Sequence, residues 1–179
     1  LGCIVLITDH YRAQQKALHD EGSYGVVSAK YAPIVARLID THGIKRLLDY
    51  GAGSKLTLIN AIADRRLCES KFDYVPYEPA IEKHSATPEP AEMVACIDVL
   101  EHIEPDLLDN VLDDLKRVTL RVGFFTVSCV PASKVLPDGR NAHLIQEEPE
   151  WWLPKFTDRF SLQTFQRVPG GFNVLVTPK

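Results

Sequence analysis

The segment that most restricts what this chain can become is residues 44–66. It runs through Leu47-Leu48-Asp49-Tyr50, then Gly51-Ala52-Gly53, then apolar residues at Leu56, Ile59, Ile62 and Ala63. Residues 44–50 read as a buried strand, the first of the main sheet. The glycine pair allows a tight turn and a close approach of the backbone. The three-and-four spacing that follows predicts a helix with Ser54 as its N-cap, ending near Arg66. Strand, glycine turn and helix open a βαβ unit, which demands a parallel sheet covered by helices.

The rest of the chain continues that plan. Helical spacing predicts helices over 11–19 and 26–41, divided by the Gly22-Ser23-Tyr24-Gly25 turn, with Gly43 as the C-cap of the second. Further strands are expected over 72–77, 93–97 and 122–128, a helix over 104–118, and a short helix over 147–156. Residues 160–168 and 172–177 should pair as a hairpin across Pro169-Gly170-Gly171. The Pro-rich stretch 79–92 leaves no room for a crossover helix plus another strand. The fold class is therefore α/β: a doubly wound, Rossmann-like, mostly parallel sheet of about six strands, ending in an antiparallel hairpin. A length of 179 residues fits one domain, with 1–43 as a helical cap and 44–179 as the sheet core.

Ligands of such sheets bind outside the carboxyl ends of the strands. Asp49 to Gly53, Glu78, Asp98 and the polar loop 131–146 all follow predicted strands, so they should meet on one rim. A dinucleotide fingerprint would need a third glycine where Leu56 stands, and no Walker loop occurs. Glu78, at the end of the second strand, has two oxygens able to accept from both hydroxyls of a ribose. A net charge of −4 without a basic run does not suggest nucleic acid, although Lys134 and Arg140 lie close in sequence. Cys3, Cys68, Cys96 and Cys129 are dispersed, with no metal-ligand spacing among Cys and His, and read as reduced core residues with no metal expected. The apolar opening 1–7 is far shorter than the ~20 residues of a membrane span, so no membrane association is expected and the cytoplasm is the expected compartment.

Three segments in order, Leu47-Leu48-Asp49-Tyr50-Gly51-Ala52-Gly53, Tyr77-Glu78-Pro79 and Asp98-Val99-Leu100-Glu101-His102, resemble the sequential motifs of class I S-adenosylmethionine (SAM)-dependent methyltransferases. The resemblance implies SAM as cofactor, with Asp49, Gly51 and Gly53 at its methionine part and Glu78 at its ribose. Asp98, Val99 and Leu100 would bind the cofactor where they line the transfer site, and Tyr24, also a cofactor contact, and Arg12 would belong to a helical region that closes over it. Two departures stand out: Lys55 replaces a motif glycine, and the segment that normally contacts adenine is shortened.

Methyl transfer requires an aligned acceptor and, for a protonated oxygen or nitrogen, a base. His143 and His102 are the candidate catalytic residues. Arg140 and Asn141 beside His143, with Trp151 at the mouth, are the candidate substrate contacts. The acceptor is expected to be a small molecule. A methyltransferase-like binding module without turnover and a nicotinamide-dependent oxidoreductase are the competing readings. An open sheet edge beyond the second strand would invite a second copy of the chain.

Overall fold

The computed structural model describes residues 4–20, 22 and 27–179. Among these residues five α-helices and six strands follow in the order α1 Asp9–Asp20, α2 Ser28–His42, β1 Arg46–Tyr50, α3 Thr57–Asp64, β2 Asp73–Tyr77, β3 Ala91–Ile97, α4 Leu108–Val118, β4 Thr119–Ser128, α5 Pro149–Thr157, β5 Phe160–Val168 and β6 Gly171–Pro178. The sheet has the order β2-β1-β3-β4-β6-β5. The first four strands are parallel, and β6 runs antiparallel to both β4 and β5. This is the expected α/β class, with six strands and an antiparallel terminal hairpin. Residues 79–90 hold only a 3₁₀ turn, Glu82–His84, and β3 begins at Ala91, two residues earlier than the sequence reading placed it.

Side-chain alternation along the strands builds two cores. Leu48, Tyr50, Val94, Cys96 and Phe125 face α4 and α5, whereas Leu47, Met93, Ala95, Ile97 and Phe124 face α2 and α3. The α4 stripe Leu108, Val111, Leu112, Leu115 and Val118 repeats at three and four, and all five residues are buried. Each contributes roughly 1.5–3 kcal/mol of burial. Asp114 interrupts that stripe, and its carboxylate accepts from Tyr50 Oη at 2.9 Å and from Arg117 at 2.8 Å.

Local chemistry explains the boundaries. Gly43 ends α2 in the left-handed conformation, as its position predicts, and its N–H reaches the last carbonyls of the helix. Several boundaries differ from the sequence reading, among them the following. Helix α3 starts at Thr57 with Leu56 rather than Ser54 at the N-cap position, because Leu56 turns left-handed (φ 50°) before it. The 104–118 helix divides into a 3₁₀ turn Pro105–Leu107 and α4. Strand β1 begins two residues later than expected, because Ile44 N–H is still bonded to the end of α2, at Ile39 O. No helix among the described residues is long and apolar enough to cross a membrane.

Candidate active site

The carboxyl ends of β1, β2, β3 and β4 open into a cavity of about 400 Å³, within the range of small-ligand pockets. Helix α1, the residues before it at Leu6 and Ile7, Val27 and Ser28 at the start of α2, Ile103, Val111 of α4 and the loop 131–146 form its other walls. Helix α1 is held there by a third apolar cluster, in which Tyr11 and Leu18 pack on Leu136 and Ala142.

One half of the cavity surrounds the glycine turn. Gly51 N–H and Ala52 N–H both donate to Tyr77 O, at 2.8 and 3.0 Å, which ties the turn after β1 to the end of β2. Gly51 has φ 87°, and a Cβ there would lie 2.2 Å from Val99 Cγ2, so a side chain is excluded by both conformation and space. Glu78 is thereby placed beside Gly53. Its Oε2 accepts from Gly53 N–H at 3.3 Å and its Oε1 from Ala80 N–H at 3.2 Å. Burial raises the Glu78 pKa, against the lowering effect of those two bonds. His19 Nε2 stands 3.7 Å from Oε2, and burial lowers the pKa of that imidazole. Glu78 is a buried acceptor at a cavity wall, and two N–H bonds leave lone pairs on its oxygens for ligand hydroxyls.

The other half is built from Asp98, His102 and His143. Asp98 follows β3 in the left-handed region (φ 60°), and its N–H donates to Thr126 Oγ1 at 3.1 Å. His102 Nδ1 lies 2.8 Å from Ala142 O and His143 Nδ1 lies 2.6 Å from Val130 O. A carbonyl can only accept, so both rings carry their proton on Nδ1 and present the lone pair on Nε2. The two rings meet edge to face, 4.6 Å between centroids. Burial pushes the His102 pKa down to about 4, with Asp98 pulling in the opposite direction, so the ring is neutral at physiological pH. Glu101 is buried next to them and holds the loop ends together. Its Oε1 accepts from Ser128 N–H at 2.6 Å and its carbonyl accepts from Ile145 N–H at 3.0 Å. Burial first, and then Asp98, raise the Glu101 pKa well above the carboxylate range.

Gly51, Gly53, Glu78, Asp98, Val99, His102 and His143 all line the cavity. The other predicted site residues lie elsewhere. Asp49 alternates with Leu48 and Tyr50 and so points toward the opposite face, where it accepts from Tyr74 Oη at 2.6 Å. Burial raises its pKa to about 7. Leu100 is fully buried in the core against α4. Arg140 is exposed and engaged with Asp138 at 2.7 Å. Asn141 is a loop staple: its side chain bonds both backbone groups of Ala132 and the N–H of His143, at 2.8–2.9 Å. Trp151 lies outside the cavity under Lys155 Nζ, 4.3 Å from its ring centroid, while Trp152 takes the core position. Arg12 is on the exposed face of α1. Tyr24 lies outside the described residues.

The sequence reading expected an N-terminal helical cover but missed the α1 residues that form the wall, Tyr11, Gln15 and His19. These residues recur at every fourth position, so a polar stripe runs along the buried face of a helix. That stripe is the signal that was available. Gln15 Nε2 donates to Tyr11 Oη at 2.6 Å, and Tyr11 Oη donates to His102 O.

No family model and no curated protein matches this sequence. Among solved structures, the chain is similar to the 1,6-didemethyltoxoflavin N1-methyltransferase of Burkholderia thailandensis, bound to 1,6-didemethyltoxoflavin and S-adenosylhomocysteine. The TM-score is 0.63 and the identity 16%, over 100% of this chain and 93% of that one. It is similar to DhpI in complex with S-adenosylhomocysteine (TM-score 0.58, 14% identity, 94% and 93% covered). It is also similar to a SAM-dependent methyltransferase from Aquifex aeolicus (0.56, 13%, 92% and 98%). The strand order, the rim cavity and these likenesses together show that this chain has the class I SAM-dependent methyltransferase fold.

Proposed function

We propose that the chain is a SAM-dependent methyltransferase acting on a small polar acceptor. The observation that carries this reading is the joining of two chemically different halves in one cavity. Gly51, Gly53 and the buried Glu78 lie at one side, and Asp98, His102 and His143 at the other. Glu78 fits a ribose diol, because a buried carboxylate flanked by two N–H bonds still has acceptor capacity for two hydroxyls. When bound, SAM supplies a methyl group on a sulfonium. The imidazoles turn their Nε2 lone pairs to a polar hydrogen of the acceptor, and α1 excludes water from above. The Burkholderia thailandensis neighbour holds a small acceptor and the demethylated cofactor together, which supports the same use here.

Thermal-shift and calorimetric titrations test the reading. SAM and S-adenosylhomocysteine should raise the melting temperature by mass action, and NADH should not. Glu78→Ala should weaken SAM binding by roughly 1.5 to 3 kcal/mol, about 10- to 150-fold. A response to NADH without one to SAM, or an unchanged affinity in Glu78→Ala, overturns the proposal.

A further inference from the structure

We propose that Asp98, His102 and His143 form a binding site for one divalent first-row transition-metal ion, facing the acceptor half of the cavity. One carboxylate oxygen of Asp98 and one ring nitrogen of each histidine lie within 4.8 Å of one another. Ligand bonds of about 2.0–2.2 Å put neighbouring ligand atoms about 3.0–3.5 Å apart in tetrahedral or octahedral geometry. The three atoms would have to close by at most about 1.8 Å to reach that spacing.

Three independent features point to a ligand there. The first is the outer shell: Nδ1 of His102 bonds to Ala142 O and Nδ1 of His143 bonds to Val130 O. A metal-binding imidazole is held in this way, with its non-ligating N–H on a backbone carbonyl and the lone pair of Nε2 aimed at the ion. The second is the backbone at Asp98. A non-glycine residue at φ 60° carries a conformational cost, and Thr126 Oγ1 pins its N–H, so the carboxylate is aimed by the fold rather than by local preference. The third is rigidity. Tyr11 Oη bonds to His102 O, Asn141 Oδ1 bonds to His143 N–H, and both histidines are buried.

Two imidazoles and one carboxylate select a first-row ion such as Zn²⁺, Mn²⁺ or Co²⁺ over Mg²⁺ or Ca²⁺, which prefer all-oxygen shells. Three protein ligands on one wall leave coordination positions open toward the cavity, the arrangement of a catalytic rather than a structural site. Those positions suit an acceptor that offers a hydroxyl, or two adjacent oxygens. With the ion bound, the Nε2 lone pairs are its ligands and no longer bases, so the coordinated hydroxyl, which ionises more readily, releases its proton to solvent water rather than to an imidazole. This acceptor role rests on the methyl-transfer reading, whereas the ion site itself does not.

The test uses the full chain, freed of metal with a chelator and titrated with Co²⁺ and Zn²⁺. One equivalent of Co²⁺ should bind with visible absorption bands of a nitrogen and oxygen shell, without the near-ultraviolet thiolate band that binding at Cys68 or Cys129 would give. Asp98→Asn and His143→Gln should each weaken metal binding by about tenfold or more. Side-chain ¹⁵N spectra of the wild-type chain, which need no variant to fold, should show two imidazoles taking Zn²⁺ on Nε2. Absence of saturable Co²⁺ and Zn²⁺ binding, a thiolate signature, or spectra in which no imidazole shifts overturns the site. SAM binding without metal binding defeats this inference alone, and metal binding without SAM binding defeats the methyl-transfer reading alone.

Discussion

At the scale of single residues, Asp49 shows how burial turns a motif position into an electrostatic cost. It is 2% exposed, and its pKa rises to about 7 through burial first, with the Glu78 charge adding and the Tyr74 hydroxyl opposing. Between the unfolded value of 3.8 and about 7, the folded chain keeps a proton here that the unfolded chain has lost. Stability therefore falls as pH rises through that window, by on the order of 4 kcal/mol from this group. Asp49→Asn can still accept from Tyr74 but has no charge to bury. Denaturant titrations should find it equal to wild type near pH 4 and more stable above pH 7. Parallel stability curves for the two proteins would show that Asp49 titrates as it does when unfolded.

At the scale of elements, α1 is a cover fixed at its first turn. Thr8 Oγ1 accepts from Tyr11 N–H at 3.2 Å as an N-cap and donates to Glu104 Oε1 at 2.7 Å, while Thr8 N–H donates to Glu104 Oε2 at 2.9 Å. Losing an N-cap costs about 1 kcal/mol. Thr8→Ala should therefore speed amide exchange across α1 by about fivefold and leave β1 and β3 amides unchanged, since local opening draws on local contacts. Equal acceleration in the central strands would mean that α1 opens only with the whole fold. The loop 131–146 shows the same principle. Its polar residues do not all face the ligand, because Asn141 replaces the missing regular backbone bonds and so positions His143.

At the scale of the whole molecule, the site and the main core are separable. Trp152 is fully buried, stacked near Phe156, with Nε1 donating to Glu147 O at 3.1 Å, and it does not line the cavity. Trp152→Ala should cost about 3–5 kcal/mol of stability. SAM affinity, measured by calorimetry where the variant is folded, should stay within about twofold. A large loss of affinity would show that the α5 side transmits strain to the rim. The sheet ends at β2, where Pro76, paired in register with Asp49, has no N–H to offer a further strand. The short stretch 79–90 between β2 and β3 adds no strand beyond that edge.

The sequence by itself determined the alternation of strands and helices, the glycine turn at Gly51, the shortened middle and the rim on which a ligand would sit. Each of these is encoded in local periods of two and 3.6 or in a backbone that only glycine allows. Glu78 was legible for the same reason, because it ends a strand beside that turn. What the tertiary structure alone decided was which polar groups face inward. Strand alternation sent Asp49 to Tyr74, ion pairing kept Arg140 on Asp138, and packing of α1 on Leu136 and Ala142 brought Tyr11, Gln15 and His19 over the cavity. His143 reaches Asp98 and His102 because Ile145 N–H is bonded to Glu101 O and the loop folds back on the end of β3. That meeting joins segments some forty residues apart, and no local spacing encodes it.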